Sequence, residues 1–125
     1  MSEKVDGRKS LGAKAEDHVA QWLQKNGYTV ACRNYRCERG EIDIIARKEN
    51  FLCFVEVRSR STTAMGSPSL TVDRKKQMRV VKTAMHYIAV EKPGDLHGRF
   101  DVAAVTFGSG GIELEYIPAA FEAGS

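Results

Sequence analysis

The sequence has few of the residues and segments that mark a specialised class of protein. Of its 125 residues only three are cysteines and three are prolines, and aromatic residues make up 8%. No apolar run approaches the roughly 18 residues of a membrane-spanning helix, and the polar N-terminus does not resemble a signal peptide. We therefore expect a cytoplasmic protein that does not enter a membrane.

The net charge is small as well. A formal charge of +3 does not by itself indicate a nucleic-acid partner, so the distribution of charge must decide. Cys32, Cys37 and Cys53 are an odd set, which favours free thiols in a reducing compartment. The three histidines are scattered, so a zinc site at Cys32 and Cys37 is disfavoured.

What the sequence does contain fits one ordinary globular domain. Hydrophobic residues make up 42% and charged residues 28%, and 125 residues leave little room for a second core. We expect a frayed N-terminus at 1–11, a single domain at 12–118 and a loose C-terminal tail at 119–125.

The apolar periodicity predicts two helices and five strands in the order α-β-β-β-α-β-β. The helices are expected at 13–26 and 72–91, and the strands at 28–33, 41–47, 51–58, 99–107 and 112–117. Pro118 is expected to end the last strand, and the polar segment 59–69 to form a mobile loop. This order predicts an α/β fold with a central mixed sheet flanked by helices.

Two carboxylates interrupt strands that are otherwise apolar. Asp43 lies within EIDII and Glu56 within FVEVR, and a buried carboxylate is costly unless something pairs with it. The hairpin between these strands places the two side by side, where they can share one divalent cation. Mg²⁺ prefers such oxygen ligands, and Mn²⁺ is an alternative.

Two further residues belong to this group of candidates. Arg58 is two positions after Glu56 and projects to the same face of its strand. Glu16, on the first helix, can reach toward the sheet as another metal ligand. The alternatives are a structural ion pair between Arg58 and the strand acids, and a solvated Glu16.

Several motifs resemble, in the same order, the YraN-type family of uncharacterised bacterial proteins. They include GEID at 40–43, FVEVR at 54–58 and RFDV at 99–102, and the resemblance covers about residues 12–105. That family is similar to the restriction-endonuclease-like superfamily, whose signature is PD-(D/E)xK, and in particular to archaeal Holliday junction resolvases.

The resemblance implies a restriction-endonuclease-like three-layer fold and a homodimer. It also implies a metal site at Asp43 and Glu56, with Glu16 as an outer ligand and Arg58 as the basic residue that completes a catalytic set. The superfamily usually has Lys at the last position. Arginine can hold a phosphate, but it stays charged and cannot serve as a base.

Basic residues are concentrated on the second helix. Its spacing aligns Lys75, Arg79, Lys82 and His86, with Lys76 beside them, on a face away from a predicted buried stripe. That stripe consists of Met78, Val81, Met85 and Ile88. Arg36 and Arg60 are further candidates for phosphate contacts. The alternative is an ordinary solvated helix face.

These features favour a Mg²⁺-dependent endonuclease that acts on DNA, including branched DNA. A second hypothesis is a nucleic-acid-binding protein of the same fold that has lost cleavage because of Arg58. A third is a structural ion network at the strand acids. RNA remains an alternative to DNA, and Asp101 is expected in a structural ion pair, with a catalytic role as the alternative.

Overall fold

The structure, a computed structural model, describes residues 9–62 and 71–124. It confirms the predicted α/β class and element order. The elements are α1 (Leu11–Lys25), β1 (Thr29–Cys37), β2 (Gly40–Lys48), β3 (Phe51–Ser61), α2 (Arg74–Glu91), β4 (His97–Gly108) and β5 (Gly111–Phe121). Neither helix is long and apolar enough to cross a membrane, as far as the described residues extend.

The five strands form one mixed sheet in the spatial order β1-β2-β3-β4-β5. β1, β2 and β3 are a meander of antiparallel pairs, α2 then crosses to β4, which is parallel to β3, and β5 returns antiparallel to β4. β3 is central, and its residues 52–56 are buried, as its apolar sequence predicts.

A hydrophobic core lies on each face of the sheet. On one face α1 packs Ala15, Val19 and Leu23 against the strands, and on the other α2 packs Val80 and Ala84. The molecule therefore has three layers, with the sheet between the two helices.

The N-terminal boundary of the ordered chain was predicted too far along the sequence. The hydroxyl of Ser10 accepts a hydrogen bond from the N–H of Ala13 at 3.1 Å, so Ser10 caps α1 and Leu11 begins it. The prediction that 9–11 are frayed is wrong, and 1–8 lie outside the described residues. The prediction of a loop at 59–69 is wrong for 59–61, because β3 continues to Ser61, and 63–70 lie outside the described residues.

The prediction that Pro118 ends β5 is wrong. The strand continues to Phe121, which pairs with Phe100, so 119–121 do not belong to a loose tail. β5 is an edge strand, and proline is tolerated there because no further strand needs its missing N–H. Ala119, with φ 52°, marks an irregularity opposite the register shift between Phe100 and Val102.

The predicted buried stripe of α2 is wrong at three of its four residues. Met78 and Met85 are 51% and 64% exposed and Ile88 is exposed as well, whereas Val81 is partly buried against the core. The buried face consists instead of Val80, Thr83 and Ala84. Both sets have helical spacing, but the residues that face the sheet are the smaller ones.

A close approach between α2 and the β1–β2 turn explains why small residues are buried there. Gly40 has φ +148°, and a Cβ atom at this position would lie 3.0 Å from the hydroxyl oxygen of Thr83. Glycine is needed both for that backbone conformation and for the short distance. Bulky methionines would hold the helix away from the turn.

Asp101 fastens β5 to β4. Its buried carboxylate accepts two hydrogen bonds from Arg99, one at 2.5 Å from the hydroxyl of Tyr116 and one at 2.9 Å from the N–H of Ala119. Burial, and next the charge of Asp101, raise the pKa of Tyr116. The predicted structural ion pair of Asp101 is confirmed.

We expect Asp101→Asn to lower the free energy of unfolding by about 3 kcal/mol, because it leaves Arg99 partly buried without its charged partner. Urea denaturation measures this change. As a control, Asp17→Asn removes an exposed ion pair with Arg33 and should reduce the stability by less than about 1 kcal/mol. Equal effects of the two substitutions would contradict the structural role of Asp101.

Candidate metal centre

Asp43 and Glu56 lie where the sheet divides. The pairing of β2 with β3 ends at Ile44 and Val55, and these two acids are the next residues on each strand. Beyond this point β2 continues beside β1, and β3 continues beside β4 to Ser61. The fork leaves a space between β2 and β3 that side chains can fill.

Asp43 binds the backbone at the fork. Its Oδ2 accepts a hydrogen bond of 2.8 Å from the N–H of Val57, just beyond the end of the ladder. This contact occupies one carboxylate oxygen and fixes the direction of the side chain. The carboxyl group lines a cavity of about 340 Å³ together with Glu16 and Asn34.

Glu56 is almost completely buried, with 2% of its surface exposed. Its Oε1 lies 3.5 Å from Nζ of Lys76 on α2. Its Oε2 is buried and has no hydrogen-bond partner among the residues that the structure describes. A buried carboxylate oxygen without a partner is uncommon and calls for an ion or a proton.

The environment makes the charged form of both acids unfavourable. Burial, and next the charge of Asp43, raise the pKa of Glu56 from 4.5 to about 7, while Lys76 opposes the increase. Burial also raises the pKa of Asp43, against the Val57 hydrogen bond and the charge of Lys76. Both carboxylates therefore interact with one ammonium group.

Glu16 lies near this group, but other residues hold it. Its Oε1 accepts hydrogen bonds from Nη2 of Arg33 at 2.7 Å and from Nδ2 of Asn34 at 3.0 Å. Glu16 is buried, so the alternative of a solvated helix residue is wrong. It shares a cavity with Asp43, while its charge is already compensated by Arg33.

The donor set fits Mg²⁺ as a two-carboxylate site. Within 9–62 and 71–124, no three acidic, histidine or cysteine side chains lie close enough together to hold a metal. Mg²⁺ is commonly bound by one or two carboxylates, with waters and substrate phosphates as the remaining ligands. Asp43 and Glu56 supply two such carboxylates, and Glu16 shares the cavity of Asp43, which Glu56 does not line.

Arg58 does not form the ion pair considered as an alternative. It is half-buried, and it makes no ion pair with the acids of the described chain, while Lys76 lies against Glu56 instead. Arg60, two residues further along β3, has a buried Nε without a hydrogen-bond partner in the described chain. Two guanidinium groups thus follow Glu56 along the strand, and neither has a carboxylate partner within 9–62 and 71–124.

The structure separates the predicted basic residues into groups. Lys75, Arg79 and Lys82 are exposed on one flank of α2. Arg36 is exposed but paired with Glu41 at 2.8 Å. Lys76 was predicted as one more phosphate contact, yet it turns inward to Glu56.

The position of Lys76 follows from the true buried face of α2. Lys76 precedes Val80 by four residues and Thr83 by seven, so all three lie on the same side of the helix. The helical spacing of Lys76, Val80 and Thr83 is visible in the sequence, but the stripe with Met78 and Met85 is more apolar and was predicted to be buried instead. Sequence reasoning therefore singled out the two strand acids and missed the contact of Lys76 with Glu56.

Similarity to known proteins covers the part of the chain that contains the candidate metal centre. The sequence profile of the uncharacterised protein family UPF0102 matches residues 15–105, which include both acids, Lys76 and Asp101. The chain belongs to the UPF0102 family. The expected membership in an uncharacterised bacterial family is confirmed.

UPF0102 proteins from other bacteria match along nearly the whole chain. One from Anaeromyxobacter dehalogenans is 44% identical over 117 residues, which cover 94% of this chain and 87% of the relative. Others from Geobacter metallireducens and Myxococcus xanthus are each 40% identical, and cover 91% and 94% of this chain and 93% of each relative.

We expect the stability of the metal-free protein to fall as the pH rises from about 4.5 to 7. Glu56 has a higher pKa folded than unfolded, so the folded state binds more protons in this window and loses stability as Glu56 ionises. A difference of one in pKa corresponds to about 1.4 kcal/mol, so the loss is about 3 kcal/mol.

Glu56→Gln should remove most of this dependence and stabilise the metal-free protein at pH 8 by about 2 kcal/mol. Urea denaturation in EDTA across the pH range measures both effects. Glu113→Gln, at an exposed position on β5, is the control and should leave the profile unchanged. An unchanged profile in Glu56→Gln would contradict the raised pKa.

Proposed function

We propose that this protein is a Mg²⁺-dependent endonuclease that binds DNA and hydrolyses its phosphodiester bonds, including those of branched DNA. The observation that carries the proposal is the pair of Asp43 and Glu56 at the sheet fork, where the buried Oε2 of Glu56 has no partner among the described residues. A fold gains nothing from such an oxygen unless a cation or a proton occupies the site.

The sequence adds a second line of support. The motifs at 40–43 and 54–58 resemble the PD-(D/E)xK signature, and the observed three-layer arrangement is compatible with a restriction-endonuclease-like fold. Since a fold does not determine an activity, this resemblance supports the proposal only together with the carboxylate pair.

Each residue of the site has a distinct task in the proposed reaction. Asp43 and Glu56 hold the cation, and the hydrogen bond from Val57 keeps Asp43 directed into the fork. A Mg²⁺ ion held by these two carboxylates would supply a water of lowered pKa and would offset negative charge on the phosphate. Arg58 and Arg60, which have no carboxylate partners among the described residues, contact the phosphates beside the cleaved bond.

The exposed flank of α2 supplies the remaining contacts to the substrate. Lys75, Arg79 and Lys82 are free of ion pairs with the described acids and lie on the flank next to the side that carries Lys76. Such a row attracts phosphates without regard to base sequence and fixes the position of the backbone. This favours recognition of nucleic-acid shape over sequence.

We expect the wild-type protein to cut DNA in Mg²⁺ or Mn²⁺ and not in EDTA. Asp43→Asn and Glu56→Gln should each reduce kcat at least about 100-fold, because a lost ligand removes several kcal/mol of charge stabilisation. The assay uses labelled linear duplex, single-stranded and four-way-junction DNA, with matching RNA strands to separate the two substrates.

Glu113→Gln, purified in the same way, controls for contaminating nuclease and should cut at the wild-type rate. Cutting that persists in Asp43→Asn and Glu56→Gln, or that does not need a metal, would refute the assignment of the site. Binding of DNA without cutting under all conditions would refute the nuclease activity and leave the binding surface.

Arg58 favours a second candidate function, binding of nucleic acid without cleavage. Arginine stays charged and cannot accept a proton at the position where the superfamily usually has lysine. In that case the wild-type protein binds DNA without cutting it, and Arg58→Lys gains metal-dependent cleavage. A gel-shift assay and the cleavage assay on both proteins distinguish the two candidates.

A further inference from the structure

The contact between Lys76 and Glu56 joins α2 to the sheet fork and is part of neither hydrophobic core. Nζ of Lys76 lies 3.5 Å from Oε1 of a carboxylate that is 2% exposed, while the lysine side chain itself is 33% exposed. One end of this ion pair is therefore fixed and buried, and the other is a flexible chain that still reaches solvent.

The ammonium group occupies the electrostatic position that a metal would take. Its positive charge opposes the increase that burial causes in the pKa of Glu56 and of Asp43, so it acts on both acids of the fork. Even so, Oε2 of Glu56 has no partner in the described part of the chain, so one ammonium group does not satisfy the pair. A divalent cation brings twice the charge and more coordination positions.

A lysine side chain can also move its charge from one partner to another. Its charge is on a four-carbon stem with three rotatable donors, whereas the guanidinium of Arg58 is a rigid planar fork on a strand. Lys76 sits three residues after the N-cap Asp73, at the start of the exposed basic flank formed by Lys75, Arg79 and Lys82. A short swing of the side chain moves its charge from the carboxylates toward a phosphate.

We propose that Lys76, carried by α2, is the basic side chain that works with the Asp43–Glu56 pair: it holds the two carboxylates in the free protein, gives way to the divalent cation, and then contacts the substrate phosphate. The proposal rests on the metal site of the proposed function. It assigns to a helix residue the task that the strand motif leaves to Arg58.

The first test measures metal binding without any turnover. Mn²⁺ is titrated at pH 8 into the full chain, and free Mn²⁺ is followed by electron paramagnetic resonance. Lys76→Met should bind Mn²⁺ at least about fivefold more tightly than wild type, because a like charge no longer competes for the site. Lys76→Arg keeps the charge and should bind within about twofold of wild type.

Matched lysines separate this effect from general charge and folding effects. Lys75→Met, on the exposed flank of the same helix, and Lys25→Met, at the end of α1, should leave the Mn²⁺ affinity unchanged. Lys76→Gln is a second variant without the positive charge. Thermal unfolding of Lys76→Met and Lys76→Gln checks that both variants are folded. An Mn²⁺ affinity that is unchanged or weakened in both variants would overturn the proposal.

The second test separates kcat from KM on the DNA that the wild-type protein cuts. Lys76→Met should reduce kcat at least about 30-fold with KM changed less than threefold, and Lys76→Arg should recover part of the rate. Lys75→Met should mainly raise KM. Wild-type turnover in Lys76→Met would overturn the contact with the phosphate.

The two proposals fail in different ways. Tighter Mn²⁺ binding in Lys76→Met, with no DNA cleavage by the wild-type protein, would support the exchange at the carboxylates and refute the nuclease. An absence of Mn²⁺ binding in wild type and in Lys76→Met alike would overturn both proposals.

Discussion

The arrangement around the sheet fork depends on one electrostatic constraint, the burial of the Glu56 carboxylate. This carboxylate is almost completely shielded from water and lies beside a second acid, and one of its oxygens has no partner within the described ranges. Ionising it in that place is unfavourable, as its pKa of about 7 indicates. Lys76 offsets part of that charge and Asp43 adds to the repulsion. Both acids lie where the β2–β3 ladder ends.

Helix α2 is positioned by two contacts at different places. Near its first turn, Lys76 reaches the carboxylates, and in its middle Thr83 lies against the turn at Gly40. Because Gly40 also begins the strand that contains Asp43, the helix and the acid are located relative to the same turn. The packing of the helix and the chemistry of the fork are therefore not independent of each other.

Sequence patterns were sufficient for the class of fold, the order of elements and the two strand acids. Alternating and helical periodicities are local, and an acid within an apolar strand stands out without any knowledge of its neighbours. They were not sufficient for α2, because Met78 and Met85 form as regular a stripe as Val80 and Thr83. Only the close approach at Gly40, a contact between distant segments, decides which stripe is buried.

The same reason explains why the role of Lys76 and the end of β5 were not predicted. Which carboxylate a lysine meets depends on how a helix crosses a sheet, and no local pattern contains that information. Proline usually ends a strand, but Pro118 lies at the edge of this sheet, where its missing N–H has no consequence for pairing. Glu16 was proposed as a ligand from its helix position, while Arg33 and Asn34, which hold it, come from β1.

The irregular end of β5 bears on how copies of this sheet can meet. Pro118 has no backbone N–H, and the N–H of Ala119 turns inward to Asp101. Neither position therefore offers a donor to an incoming strand, whereas in a regular strand, whose N–H groups point alternately to its two sides, one of the two would face outward. An exposed edge with a full row of donors is a template for edge-to-edge association, and the missing donor interrupts it. The carboxylate that fastens the last strand thus also protects this end of the sheet from extension by a neighbouring molecule.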